Sequence, residues 1–88
     1  MQKIIFRAEI FKEGGFYVAL CPELNVSSFG ETVDEAKRSL REAVEAFTEE
    51  CEAMGTLEEV MNETGFAKEH DTWVHRKPLV EELLSVGR

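Results

Sequence analysis

The stretch from Thr32 to Met54 constrains this chain more than any other part of it. Thr32 and Glu35 form a capping box: the Thr hydroxyl accepts from the Glu35 amide, and the Glu35 carboxylate reaches back to the Thr32 amide. A helix therefore starts at Val33. Beyond it Ala36, Leu40, Ala43, Val44, Phe47, Cys51 and Met54 recur at spacings of three and four as one apolar stripe, and Gly55 is available for the left-handed residue that ends such helices. About 21 residues make a rod roughly 31 Å long. A rod that is apolar along one side needs an apolar surface of its own length to lie on. The 88 residues form a single domain, 1–88, with one modest core, because a chain of this size buries only about 60 to 65% of its unfolded surface.

The segments before the helix supply that surface. "QKIIFRAEIF", residues 2–11, alternates Ile4, Phe6, Ala8 and Ile10 with Lys3, Ile5, Arg7, Glu9 and Phe11, the pattern of a half-buried strand. "KEGG" allows a tight reversal into "FYVALC", with Phe16, Val18 and Leu20 at period two. Pro22 cannot donate to a ladder, so "PELN" is a turn, and "VSSFGE" is a third short strand. The three make an antiparallel meander. After the helix a second capping box, Thr56 to Glu59, opens a shorter helix that Gly65 ends, with Met61 and Phe66 spaced for the apolar contact of a Schellman motif. "DTWVHR" reads as a fourth strand. In "PLVEELLSV" the residues Leu79, Val80, Leu83 and Leu84 fit a helix, while the exit from Pro78 suits an extended arm, the reading we take. The fold class is α+β in the order β-β-β-α-α-β, a small antiparallel sheet with one long helix packed across it. On the solvent side of that helix, Asp34 with Arg38 and Arg41 with Glu45 are spaced for ion pairs.

At 43% hydrophobic residues with two prolines the chain is too apolar to be disordered. No uncharged run approaches the ~20 residues of a membrane helix. The first residues, Met-Gln-Lys-Ile-Ile-Phe-Arg, lack the apolar stretch of a secretory signal, so a cytoplasmic protein is expected. Cys21 and Cys51 then read as small buried hydrophobes. A zinc site drawing on them with His70 and His75 would need ligands from three separate elements without the usual paired spacing, so no metal and no cofactor is expected. No Ser or Cys nucleophile has an evident His partner. A two-metal nuclease would need three or four clustered carboxylates, and the strands offer Glu9 and Glu31 alone. The expectation is a binding protein and not an enzyme.

Charge points the same way. Of the formal −8, residues 42–71 hold ten acids against Lys68 alone, net −9, while residues 1–41 balance at six acids and six bases. Such a surface repels phosphate backbones and attracts basic partners. Glu49, Glu50 and Glu52 crowd the end of the long helix where the macrodipole disfavours anions. Glu49, Glu52, Glu58 and Glu59 are the candidate partner-binding residues. Leu79, Val80, Leu83 and Leu84 are candidate oligomerisation residues, since a short sheet leaves edges that strand addition in a homodimer would cover.

The hairpin "EIFKEGGFYVALCPELN", the strand "VSSFGET" and the helix start "TVDEAKRSLREAVEAF" together resemble the N-terminal domain of HicB antitoxins and the short HicB-like proteins. The most diagnostic run is a strand ending in Gly-x-Thr followed by an acid, Glu-Ala and a helical stripe; Gly30, Thr32, Asp34, Glu35, Ala36 and Ala43 match it. The resemblance covers residues 3 to about 66. It implies a partial RNase H fold and, as partner, a small basic RNA-cleaving toxin of the HicA type. Full-length HicB antitoxins continue into a DNA-binding domain, and the ten residues after Pro78 cannot hold one, so direct nucleic-acid binding is not expected. The alternative is an orphan homo-oligomeric HicB-like module without a toxin.

Overall fold

The alternating run that opens the chain is one strand in pattern and two in the folded protein. A computed structural model, which describes residues 2–87, divides it into β1 (Lys3–Ile5) and β2 (Glu9–Glu13). β2 enters the expected antiparallel meander with β3 (Phe16–Cys21) and β4 (Val26–Gly30), turning through Gly14 at φ 60°. β1 instead pairs in parallel with β6 (Thr72–His75), which pairs antiparallel with β5 (Phe66–Glu69). The expected single sheet is therefore two three-stranded sheets, β2-β3-β4 and β1-β6-β5. Alternation records which face a residue takes and carries no information about the neighbouring strand. Arg7, at the crossing, lies 3.0 Å from the Glu23 carboxylate and 3.9 Å from that of Glu9.

The α+β class with one long helix on an antiparallel sheet is what the protein has. Helix α1 (Val33–Met54) takes one half of the expected capping box, the Glu35 amide donating to Thr32 Oγ1 at 3.0 Å, while the return bond from the Thr32 amide to the Glu35 carboxylate does not form. Its buried row is Ala36, Leu40, Val44, Thr48 and Cys51, whereas Met54, at the far end of the expected stripe, is 68% exposed. Thr48 enters the core because its hydroxyl donates to the Glu45 carbonyl at 2.9 Å and so is buried satisfied. The expected i to i+4 pairs give way, among the described residues, to Lys37 with Asp34 at 3.9 Å.

α1 ends in a full Schellman motif. Gly55 is left-handed, its amide bonds the Glu52 carbonyl, and the Thr56 amide bonds that of Cys51. Helix α2 (Leu57–Glu63) follows at once. The second capping box does not form: Thr56 makes no side-chain cap bond, and its hydroxyl donates back to Cys51 at 3.4 Å. Committed to closing α1, Thr56 holds φ −112° and ψ 2°, outside the extended conformation that an N-cap adopts.

One continuous core joins the two sheets. Ala19, Cys21 and Leu24 from the meander side, the α1 row, Leu57 and Met61 of α2, Phe66 and Trp73 all belong to it. The Trp73 indole donates to Gln2 Oε1 at 2.7 Å, tying the two ends of the fold together. Gly30 lies against the first turn of α1, where an added Cβ would be 2.6 Å from the Ala36 nitrogen. Residues 76–87 form neither helix nor strand, in keeping with an arm.

Candidate functional site

The turn at Gly55 folds the ends of α1 and α2 into one acidic corner. Glu52, from the last turn of α1, and Glu58, from the first turn of α2, line the same cleft of about 270 Å³ together with Lys68 and Trp73. Glu49 lies three residues before Glu52 on the same side of α1, and Glu59 follows Glu58; neither lines that cleft. All four carboxylates are exposed. The last turn of α1 contains no base, so its macrodipole adds to the negative field there. Lys68 is the local counter-charge, its ammonium 5.9 Å above the Trp73 ring.

A second surface went unrecognised in the sequence. α1 covers the face of the meander that carries Tyr17, Ala19 and Cys21, and the other face carries Phe11, Phe16, Val18, Leu20 and Phe29. Phe11, Val18 and Phe29 stand in register across the three strands, and Phe16 meets Phe29 edge to face with ring centroids 5.7 Å apart. Phe29 is 67% exposed and Phe11 48%. The signal was present: β2 and β3 are apolar at both odd and even positions, the pattern of a sheet covered on both sides. The oligomerisation candidates are likewise uncovered. Leu79, Val80, Leu83 and Leu84 are all exposed, Leu83 completely, and no two strands or helices hold them.

Other groups that could carry chemistry have structural partners. His75 sits with Nε2 3.0 Å from the Thr64 carbonyl and Nδ1 3.0 Å from that of Arg76, its ring edge-on to Phe66. Cys21 and Cys51 are free thiols in the core, and burial pushes the Cys21 thiol up, with the nearby Glu23 charge adding to the effect. Among the described residues no three His, Cys, Asp or Glu side chains gather as a metal site would require. No helix among them is long and apolar enough to cross a membrane. A broad cleft of about 780 Å³ runs between the β1–β2 crossing and the start of the arm, with Arg7, His75, Arg76 and Lys77 around Ile5 and Val74. The arrangement as a whole offers docking surfaces of opposite kinds: an acidic helical corner, and a row of aromatic rings on the far side of the sheet. No family model matches the chain, and no curated protein or solved structure matches it either.

Proposed function

We propose that the protein binds and neutralises a small, basic, RNA-cleaving toxin of the HicA type in the cytoplasm, without enzymatic activity of its own. The observation that carries this reading is the acidic corner. Glu52 and Glu58 line one cleft across the Gly55 turn, with Glu49 and Glu59 nearby on the same helices; Glu49 and Glu52 stand toward the end of α1, where the dipole opposes anions, and Glu58 and Glu59 in the first turn of α2. Glu49 and Glu52, held where the α1 dipole does not favour them, and the exposed carboxylates of Glu58 and Glu59 nearby are suited to a cationic partner, and a toxin that grips RNA presents such a face. The resemblance of residues 3–66 to HicB-like proteins supplies the class of that partner.

Complementary charge acts mainly on the association rate, while apolar contacts set the lifetime of the complex. Co-expression with the product of the neighbouring gene tests the reading. A toxic, basic neighbour should be silenced by the protein, and a neighbour that is harmless, or that stays toxic, overturns it. Reversal of charge at Glu49, Glu52, Glu58 and Glu59 together should slow association at least about tenfold at low salt, with a smaller effect once salt screens the charges. The second reading, a homo-oligomeric module without a toxin, draws its support from the exposed aromatic row, which a purely electrostatic partner would leave wet.

A further inference from the structure

Residues 78–87 carry the local signals of a short amphipathic helix and, in the single chain, form none. Pro78 has the fixed φ suited to a first helical position, Glu81 and Glu82 stand where a helix N-terminus favours anions, and Gly87 follows the last apolar residue. At 3.6 residues per turn, Leu79, Val80, Leu83, Leu84 and Val86 fall within one arc of about 160°, and Glu81, Glu82 and Ser85 fill the opposite side. Extended backbone would instead send Leu79 and Leu83 to one side and the other three to the reverse. The separation of polar from apolar residues is complete only for the helix. A helix of some nine residues does not hold in water unaided, because nucleation costs more than so few bonds return. The arm needs an apolar surface to fold on.

Among the described residues, the open face of the meander is an unfilled apolar surface of that shape. The open face of the meander presents Phe11, Phe16, Val18, Leu20 and Phe29, on strands of five and six residues, or about 17 to 20 Å of length. A nine-residue helix is about 13 Å long and fits across it. Its opposite face already carries α1, so a second helix would complete a helix-sheet-helix sandwich around the meander.

The single chain does not make this contact with itself. The arm leaves β6 in the other sheet, Pro78 and Glu81 line the cleft over Ile5 and Val74, and from Leu79 onward the apolar side chains are exposed. The Cα radius of gyration is 15.1 Å, against about 12 Å for a compact domain of this length. The arm thus projects away from its own body. Charge is compatible with the same surface on another copy: Glu9 and Glu13 flank Phe11 on the open face, Arg76 and Lys77 precede the arm, and Glu81 and Glu82 fall on the side of the helix opposite its apolar arc. A stable interface needs about 800 Å² from each partner, and a two-fold pair supplies both an arm and a face from each.

We propose that the protein is a dimer of identical chains in which residues 79–86 of each copy fold as a helix on the Phe11–Val18–Phe29 face of the other. This differs from pairing of strand edges, and it leaves the acidic corner, across α1 from the open face, free for a different partner. It stands independently of the toxin reading, because its test uses the purified chain alone.

Sedimentation of the full chain from low to high micromolar concentration should show a monomer–dimer equilibrium, with helical circular dichroism rising as the dimer forms. L83E/L84E in the arm and F29S on the face should each weaken the dimer more than about tenfold, the loss expected when one well-buried anchor is removed, while the melting behaviour of the monomer is retained. Mixing the two variants should restore hetero-dimers, since one intact arm then meets one intact face. A chain that stays monomeric at high concentration, with its arm either unfolded or helical on its own body, overturns the proposal. So does a dimer that L83E/L84E leaves unchanged.

Discussion

Gly30 has no room for a side chain. A Cβ there would stand 2.6 Å from the Ala36 nitrogen and 2.8 Å from the Glu35 carbonyl carbon, backbone atoms that cannot give way. Gly30→Ala should therefore cost about 3 kcal/mol through forced displacement of α1 from β4, measured as a lower urea midpoint at unchanged slope. Nothing local in the sequence reveals this requirement, because "FGET" reads simply as a strand end before a cap. The close approach exists only once Ala36, itself fully buried, is seated on the sheet. Cys21 yields a pH dependence. Burial first, and the Glu23 charge second, raise its pKa in the folded protein. The unfolded chain ionises at the ordinary thiol pKa while the folded chain keeps the proton, so stability is whole below that pKa and declines as pH rises above it. Cys21→Ala should lower stability at neutral pH and remove that part of the alkaline decline, as chemical denaturation at pH 7 and pH 10 would show.

At the scale of elements, the motif T-x-x-E occurs at the start of both helices and works at one of them. Thr32→Ala should destabilise the fold by about 1 kcal/mol, the usual worth of an N-cap. Thr56→Ala should cost clearly less, since Thr56 caps nothing through its side chain beyond a long bond to Cys51. Parallel unfolding curves of the two variants separate these outcomes. A local motif becomes illegible where two elements compete for one residue, and the Schellman closure of α1 takes Thr56 first. The meander, both helices and β6 were legible because each has its own period or turn chemistry. β5 was not: after Phe66 its Ala67, Lys68 and Glu69 are exposed, as an edge strand permits, and no alternation marks them. The acidic excess of residues 42–71 could be read from the sequence, whereas the cleft that holds Glu52 and Glu58 together depends on how the Gly55 turn sets α2 against α1. The aromatic face leaves its signal in the apolar residues at both odd and even positions of β2 and β3, while period two alone does not tell which side the helix takes.

At the scale of the whole molecule, no three His, Cys, Asp or Glu side chains among the described residues gather as a metal centre would require. The purified protein should cleave neither RNA, DNA nor their hybrids with Mg²⁺ or Mn²⁺, and cleavage abolished by Glu9→Gln would contradict this. The path of the chain has one more consequence. β1 precedes the meander and its partner β6 follows both helices, so Lys3 pairs with Thr72 across most of the fold, and Trp73 bonds a residue 71 positions earlier. The meander and α1 are contiguous in sequence and can assemble on the ribosome as they emerge. Lys3 to Ile5 must wait with their hydrogen-bonding edge unpaired until Thr72 to His75 have been made, and the second sheet closes only after the meander and both helices have formed or emerged.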